Sequence, residues 1–139
     1  MRQALRHFRV ATRGKGFYDV TRPLSGWARE QGMTTGLLTL FCRHTSASLL
    51  IQENADPSVL RDLERVFSAL APDGAGLYEH DSEGTDDMPA HIRAALTQTQ
   101  LSIPLSGGAL ALGTWQGLYL FEHRRGAHDR EIVAHLLGE

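Results

Sequence analysis

Apolar and polar residues alternate along much of this chain, which is the pattern of β-strands with one buried and one solvent-facing side. The stretch from Leu5 to Thr12 is a clear example. The pattern also predicts strands at residues 34–43, 46–52, 101–105, 109–112, 117–123 and 131–136, and a short extended segment at 17–20. Because only the polar pair His44-Thr45 separates the strands at 34–43 and 46–52, we expect a hairpin or one bent strand there.

Helical spacing of apolar residues is strongest after residue 56. The apolar residues that repeat at this spacing are Val59, Leu60, Leu63, Val66, Phe67 and Leu70. Asn54 or Asp56 can cap this helix, and Pro57 is tolerated at its first position. Two shorter helices are predicted: one follows Thr21 as N-cap, buries Trp27 and ends near Gln31, and the other runs from Met88 to about Leu96.

The predicted elements follow one another without the strict strand-helix alternation of a parallel, doubly wound sheet. We therefore predict an α+β fold with a mixed, largely antiparallel sheet and two or three helices, as a single domain over residues 1–139. A polar loop at 73–87 is long for a compact domain, which favours a functional role for it. Many strands in a short chain leave edges and apolar faces to cover, which makes oligomerisation reasonable.

Composition narrows the function classes. The 139 residues carry 14 Lys+Arg against 16 Asp+Glu, so no concentration of positive charge indicates a nucleic-acid partner. The one cysteine, Cys42, cannot form an intramolecular disulfide, and its strand context predicts an inert buried thiol. Residues 1–6 begin basic but no continuous apolar stretch follows, and no run has the length of a membrane span. We expect a cytoplasmic protein without a membrane or nucleic-acid partner.

Four of the seven histidines lie in polar, locally dense contexts. They are His44, His80, His91 and His123. Neutral imidazole is a preferred ligand for zinc, and nearby carboxylates orient the ring or supply an oxygen ligand, so a metal site is chemically available. The alternative is that each of these histidines is a hydrogen-bonded structural residue. His7 and His128 are expected at the surface.

The loop before the last predicted helix offers carboxylates at Glu83, Asp86 and Asp87. Carboxylates together with substrate phosphates suffice to hold Mg²⁺, although Asp86 and Asp87 are equally suited to the N-terminus of the following helix. Hydroxyl and guanidinium donors for an anion are available from Thr45, Ser46, Ser48, Arg124 and Arg125. No Walker motif and no GxSxG motif supports a P-loop or a serine hydrolase.

Four polar segments together resemble the signatures of the YjbQ-like family, whose members are known as secondary thiamine-phosphate synthases. The segments are HTSASL at 44–49, QENADP at 52–57, EGTDDMPAHI at 83–92, and GTWQG at 113–117 followed by EHR at 122–124. The resemblance runs in order over essentially the whole chain. It implies a YjbQ-like fold that assembles as a homotrimer, with polar motif residues near subunit boundaries. It also implies an enzyme that joins hydroxymethylpyrimidine diphosphate to thiazole phosphate and releases pyrophosphate.

On this resemblance we assign roles residue by residue. We expect His44, His80, His91, His123 and Asp87 to hold a divalent metal, Mg²⁺ or Zn²⁺. The catalytic residues are expected to be His123, Glu83, Asp86 and Glu53, with Glu53 and Asp56 alternatively fixing the start of the long helix. The phosphorylated substrate is expected to contact Thr45, Ser46, Ser48, Gln116 and Arg124. Trp115 is predicted either to stack on an aromatic ring or to pack in the fold.

Two other functions remain open at this point. The chain is either this transferase or a non-enzymatic trimer that binds a metal ion or a phosphorylated metabolite, and a metal-dependent hydrolase is a third possibility.

Overall fold

The computed structural model describes all residues, 1–139, as eight strands and three helices. The strands are β1 (Arg2–Arg13), β2 (Gly16–Asp19), β3 (Thr35–Cys42), β4 (Ala47–Glu53), β5 (Gln100–Ser106), β6 (Ala109–Leu110), β7 (Gln116–Glu122) and β8 (Ala127–Gly138). The helices are α1 (Thr21–Glu30), α2 (Pro57–Leu70) and α3 (Asp87–Leu96). The predicted α+β class is confirmed. None of the three helices has the length and apolar character that crossing a membrane requires.

The strands form two sheets in which every pairing is antiparallel. One sheet has five strands in the order β1-β8-β3-β5-β6, and the other has three in the order β2-β7-β4. Strands β3 and β4 therefore do not form a hairpin, which was one of the two expected arrangements, and the other, one bent strand, describes their path better. The chain instead passes from one sheet to the other at residues 43–46, because the polar break at His44-Thr45 interrupts the strand.

The hydrophobic core lies between the two sheets and is closed by α1. Inward-facing residues of β3, β5 and β8 meet those of β4 and β7, and Leu24, Trp27 and Ala28 of α1 complete the cluster. The edge of the Phe8 ring contacts Trp27 at 5.8 Å between ring centroids. Burial of Trp27 is as predicted. Cys42 belongs to the same core, where burial raises the pKa of its thiol to about 11, as expected of an inert cysteine.

Strand β7 is the central element of the molecule because it is covered on both sides. One side of β7 faces the core between the two sheets. The other side packs against α2 and α3, where the ring of Phe121 meets Phe67 edge-on at 5.2 Å and lies beneath the guanidinium of Arg93. The last residues of β7 and those that follow it are thus held against α3. This packing fixes the position of the polar residues that the sequence singled out.

Helix starts explain the local arrangement of the acidic residues. Asp56 caps α2 as predicted, since its carboxylate accepts from the backbone N–H of Ser58 at 2.9 Å. Thr21 is the first helical residue of α1, and Val20 occupies the N-cap instead. At α3 the N-cap is Asp86, without a capping hydrogen bond from its side chain, and Asp87 begins the helix.

Candidate functional site

Three predicted ligands converge where the polar loop enters α3. His91 lies one helical turn after Asp87, so both project from the same face of α3, and the loop brings His80 over them. Nε2 of His80 lies 2.6 Å from Oδ2 of Asp87, and Nε2 of His91 lies 3.2 Å from the same oxygen. The carboxylate of Asp87 is 3% exposed, whereas the side chains of His80 and His91 are 41% and 34% exposed. The cluster is thus anchored in the fold and open to solvent.

The other oxygen of Asp87 is already bound. Nη1 of Arg124 donates to Oδ1 of Asp87 at 2.6 Å. Burial raises the pKa of Asp87, but hydrogen bonds with His80 and Glu83 and the positive charge of Arg124 lower it more, so the pKa lies below its usual value. Asp87 is therefore ionised at neutral pH and presents Oδ2 to the two imidazoles.

This donor set fits a divalent transition-metal ion. One donor atom from each residue, His80, Asp87 and His91, lies within 4.8 Å of the others. Zinc bonds of about 2.0–2.2 Å in a tetrahedral site place ligand atoms about 3.4 Å apart. Oδ2 of Asp87 lies 2.6 and 3.2 Å from the two imidazole nitrogens, so binding an ion requires these atoms to move apart by less than about 1 Å. Two imidazoles and one carboxylate are typical of catalytic zinc sites and of non-haem iron sites, both of which leave positions open. Mg²⁺ prefers oxygen ligands only, so the imidazole pair favours zinc over magnesium.

Arg124 and Asp86 form an ion pair beside the cluster. Nε of Arg124 donates to Asp86 at 3.0 Å, and Nη2 donates to the carbonyl of Glu83, also at 3.0 Å. The backbone N–H of Arg125 donates to the carboxylate of Asp86 at 2.9 Å. The expectations that Arg124 contacts substrate oxygens and that Asp86 is catalytic are therefore revised, because every polar group of the Arg124 side chain already has a protein partner. Glu83 is exposed and its carboxyl group approaches Asp87.

His123 lies in the interior of the protein, apart from the cluster of His80, Asp87 and His91. Nε of Arg93 donates to Nδ1 of His123 at 3.2 Å, and Nε2 of His123 lies 2.8 Å from the hydroxyl of Ser48. Since a guanidinium can only donate, Nδ1 is the acceptor and Nε2 carries the proton. Burial, reinforced by the charges of Arg93, Arg130 and Lys15, lowers the pKa of His123 to about 3.

This geometry corrects two expectations for His123 and one for Ser48. Both ring nitrogens of His123 are bonded within the protein and the residue has no exposed surface, so it is available neither as a metal ligand nor as a catalytic group. The hydroxyl of Ser48 is equally buried and bonds to Thr97 at 2.6 Å, which removes it from contact with a substrate. His123 also cannot accept a proton from Ser48, because Nε2 already holds one.

His44 is likewise separate from the cluster. Its Nε2 accepts the backbone N–H of Glu131 at 2.8 Å, and burial together with the charge of Arg130 lowers its pKa. The expected convergence of four histidines thus reduces to His80 and His91. Next to His44, the hydroxyl of Ser46 accepts from Arg130 at 3.0 Å and is buried, while Thr45 is exposed.

Glu53 and Gln116 lie at the opposite end of the three-stranded sheet. The register pairs Glu53 with Gln116 and Ala47 with Glu122, which places six residues, or about 20 Å, between these two ends. Glu53 accepts from the backbone of Asp56, and Gln116 accepts from the backbone of Gly113 at 2.8 Å. Within one chain, Glu53 and Gln116 therefore do not share a site with the cluster of His80, Asp87 and His91. The Trp115 side chain nearby is 63% exposed, so it does not pack in the core.

A cleft adjoins the cluster of His80, Asp87 and His91 on the side of the loop that precedes α3. It has a volume of about 640 Å³ and is lined by Leu77, Tyr78, Glu79, His80 and Met88. The hydroxyl of Tyr78 donates to the carbonyl of Pro72 at 2.8 Å, which fixes the orientation of the ring. His80 thus belongs both to the cleft wall and to the cluster of His80, Asp87 and His91, and a small molecule bound in the cleft would lie beside that cluster.

The sequence interpretation missed several residues that hold this region together. A buried ion pair joins Glu122 to Arg130 with an N–O distance of 2.5 Å, and Arg93 binds Glu64 at 2.7 Å. Glu122 belongs to the segment that carried the resemblance, but nothing in the spacing revealed its partner 8 residues later. Tyr78 lies within the predicted loop at 73–87 and Met88 directly follows it, and the cleft that they line depends on the folded path of this loop.

Comparison with known proteins agrees with this fold. A family model described as UPF0047 protein YjbQ-like matches residues 6–139. The chain is 52% identical to a UPF0047 protein of Synechocystis sp. over 94% of this chain and 88% of that protein. It is 45% identical to UPF0047 protein YjbQ of Escherichia coli over 94% of each. A crystal structure of an uncharacterized conserved YjbQ/UPF0047-family protein from Clostridium acetobutylicum is 35% identical, has a TM-score of 0.86, and covers 94% of this chain and 98% of that one.

Proposed function

The chain belongs to the YjbQ-like UPF0047 family, and from the geometry of its site we propose that it is a metal-dependent enzyme acting on a phosphorylated small molecule. The observation that carries this proposal is the cluster of His80, Asp87 and His91 at the edge of an open cleft. The reaction we propose is that of a secondary thiamine-phosphate synthase.

In this reaction the thiazole nitrogen attacks the methylene carbon of hydroxymethylpyrimidine diphosphate. A C–N bond forms with the nitrogen lone pair, and the C–O bond breaks with its electrons leaving on pyrophosphate. The products are thiamine phosphate, which carries the positive thiazolium charge, and free pyrophosphate. A divalent ion bound by the cluster would supply positive charge to the departing diphosphate.

Three residues that were expected to act on the substrate, Arg124, Asp86 and His123, are suited to positioning rather than to proton transfer. Arg124 and Asp86 are bonded to each other, and His123 is buried and neutral. Transfer of the pyrimidine methylene carbon from pyrophosphate to a thiazole nitrogen requires no general acid or base to move a proton. Hydrolysis of most phosphoesters, in contrast, benefits from such a group. Transfer therefore needs no residue in the role of proton donor, a role for which the paired Asp86 and the buried His123 are not free.

The cleft beside the cluster provides the place for the organic part of the substrate. Leu77, Tyr78 and Met88 offer an apolar wall, which suits a flat heteroaromatic ring. Glu79 lines the same cleft and brings a negative charge near the carbon that becomes electron-poor as the diphosphate leaves. The substrate would thus span from the cleft to the ion, with its reacting carbon between them.

The experiment that tests this proposal is a product assay with both thiamine-pathway substrates and metal-loaded protein. Thiamine phosphate and pyrophosphate should appear in equal amounts, and Asp87→Asn should abolish both. Asp81→Asn is the matched control, because Asp81 is an exposed acid of the same loop outside the ligand set.

Two other results would replace the proposal. Metal-dependent binding of either substrate without product would identify a non-enzymatic binding protein. Release of phosphate from one substrate alone would identify a hydrolase.

We also propose that copies of the chain assemble through the outer face of the five-stranded sheet, consistent with the trimer that the family resemblance implies. Exposed apolar side chains on this face are Leu5, Leu37, Phe41 and Leu137. Leu37 and Leu137 are directly paired across β3 and β8, so these two side chains are neighbours on this face. Phe41→Asp should shift the molar mass measured by light scattering toward the monomer, whereas an unchanged mass would contradict the use of this face.

A further inference from the structure

The two oxygens of the Asp87 carboxylate have different surroundings. Oδ2 faces both imidazoles of the cluster, and Oδ1 accepts from Nη1 of Arg124 at 2.6 Å. A hydrogen bond of this length between two charged groups is strong, and its loss opposes the use of Oδ1 as a second ligand to the ion. We infer that Arg124 is a positioning residue that restricts Asp87 to coordination through one oxygen. This inference rests on the proposed metal site.

Arg124 is held too firmly to release Oδ1 easily. Its Nε and Nη2 groups bind Asp86 and the carbonyl of Glu83, so the guanidinium has partners along its whole edge. Its backbone N–H donates to the buried carboxylate of Glu122 at 3.2 Å. Movement of Arg124 would remove the guanidinium that binds the carboxylates of both Asp86 and Asp87.

The carboxylate of Glu122 is fixed in turn from the far side. Arg130 donates to both of its oxygens, and the hydroxyl of Thr12 donates to one of them at 2.5 Å. Glu122 has no exposed surface, and the backbone N–H of His123 adds a further bond at 3.0 Å. A chain of bonds therefore runs from the interior of the two-sheet core to Oδ1 of Asp87.

The consequence concerns how many positions the ion offers to a substrate. Two imidazoles and one carboxylate oxygen occupy three positions, and a four-coordinate zinc ion then keeps one for an exchangeable ligand. If Asp87 bound through both oxygens, that position would be filled or the ion would become five-coordinate. Arg124 thus acts on the substrate through Asp87, and it does not contact the substrate itself.

Replacement of the ion by Co²⁺ tests this directly, since the visible absorption of Co²⁺ is intense in four-coordinate sites and weaker in five- and six-coordinate ones. The proteins to compare are the wild type, Arg124→Met, Arg124→Lys and the matched control Arg125→Gln. Arg125 is the neighbouring arginine, and its side chain reaches Thr85 and not Asp87. Circular dichroism verifies that each variant is folded.

We expect the Arg124→Met spectrum to be at least about twofold weaker than that of the wild type, because the carboxylate gains a second bond to the ion. Arg124→Lys should restore much of the intensity, since an ammonium group can also occupy Oδ1, and Arg125→Gln should match the wild type. Identical spectra for Arg124→Met and the wild type would overturn the role of Arg124. If Arg124→Met does not fold, the same comparison with Arg124→Gln decides the question.

The same experiment separates failure of this inference from failure of the proposed function. A wild-type protein that gives no protein-bound Co²⁺ spectrum would contradict the metal site itself. A wild-type spectrum that is lost in Asp87→Asn but unaffected by Arg124→Met would support the site and contradict only the role of Arg124.

Discussion

The guanidinium of Arg93 donates to Nδ1 of His123 at 3.2 Å, in the fully buried space between β7 and α3. This contact forces the proton of the neutral imidazole onto Nε2, from which it is donated to Ser48. The histidine that was expected to be both a metal ligand and a catalytic residue is therefore a structural link between the sheet and the helix that carries Asp87 and His91.

The His123 environment predicts how stability depends on pH. Its pKa is about 3 when folded and about 6.5 when unfolded, so the unfolded chain binds the additional proton below pH 6.5. Stability should fall as the pH decreases through this range, by about 2 kcal/mol between pH 6.5 and 5. Urea denaturation of the metal-free protein at several pH values measures this change.

His123→Gln is the control for this pH dependence because it removes the titrating group and keeps an amide donor. Its stability should vary less between pH 6.5 and 5, and the remaining slope should reflect His44, whose pKa is also lowered. An equally steep slope in His123→Gln and in the wild type would refute the buried neutral histidine.

The ion pair between Glu64 and Arg93 is expected to support the fold. Arg93 is fully buried, while the side chain of Glu64 is 28% exposed. Glu64→Ala leaves a buried charge without its partner and should destabilise the protein by about 2–4 kcal/mol, after allowance for the solvent that reaches Glu64. Chemical denaturation provides the measurement.

Asp62→Ala is the matched variant in the same helix. Asp62 pairs with Arg65 at the surface, where both side chains are largely exposed. Removal of such a pair should change the free energy of unfolding by less than about 0.5 kcal/mol. Equal effects of the two substitutions would show that the buried position of Arg93 has no special cost.

The apolar wall of the cleft predicts an effect on substrate affinity. Leu77 lines the cleft, whereas Leu96, at the end of α3, is outside it, and the two are 55% and 58% exposed. Leu77→Ser should raise KM about fivefold, which corresponds to about 1 kcal/mol of lost apolar contact, and leave metal binding unchanged. Leu96→Ser should leave KM unchanged, and a similar rise in both variants would argue against the cleft.

Two glycines test the packing of the five-stranded sheet. A Cβ at Gly36 would clash with the carbonyl oxygen of Leu137, whereas a Cβ at Gly26 in α1 would meet no atom within 4 Å. Gly36→Ala should destabilise the protein by about 2–3 kcal/mol, because relieving the clash separates β3 from β8. Gly26→Ala should be neutral or stabilising by up to about 1 kcal/mol, as helix propensity predicts. Thermal unfolding compares them, and tolerance of Gly36→Ala would contradict the close strand approach.

The sequence predicts where the strands and helices of this fold lie, but it does not predict which strands pair with each other. Alternation located β4 and β7, and the helical repeat with Asp56 and Pro57 located α2, because these signals are local. Assignment of β3 and β4 to different sheets depends on contacts between distant segments. No local pattern distinguishes a hairpin from a strand that continues into a second sheet.

The candidate site shows a similar division. His91 and Asp87 are four residues apart on a predicted helix, and His80 lies in the loop before it, so their proximity follows from local structure. His44 and His123 have the same residue type and equally polar sequence neighbours, yet the fold surrounds them with donors from Glu131 and Arg93. Which histidine keeps a free nitrogen is decided by these distant partners.

The most direct test of the metal site is the affinity for Zn²⁺, measured by competition with a chelator for the wild type, Asp87→Asn and His128→Ala. His128 is a histidine outside the cluster, so its removal controls for adventitious binding. We predict one Zn²⁺ per wild-type chain, unchanged affinity in His128→Ala, and a loss of at least about 100-fold in Asp87→Asn, since changes behind a ligand alone cost about 10–100-fold. Equal affinities in Asp87→Asn and the wild type would contradict a metal site at His80, Asp87 and His91.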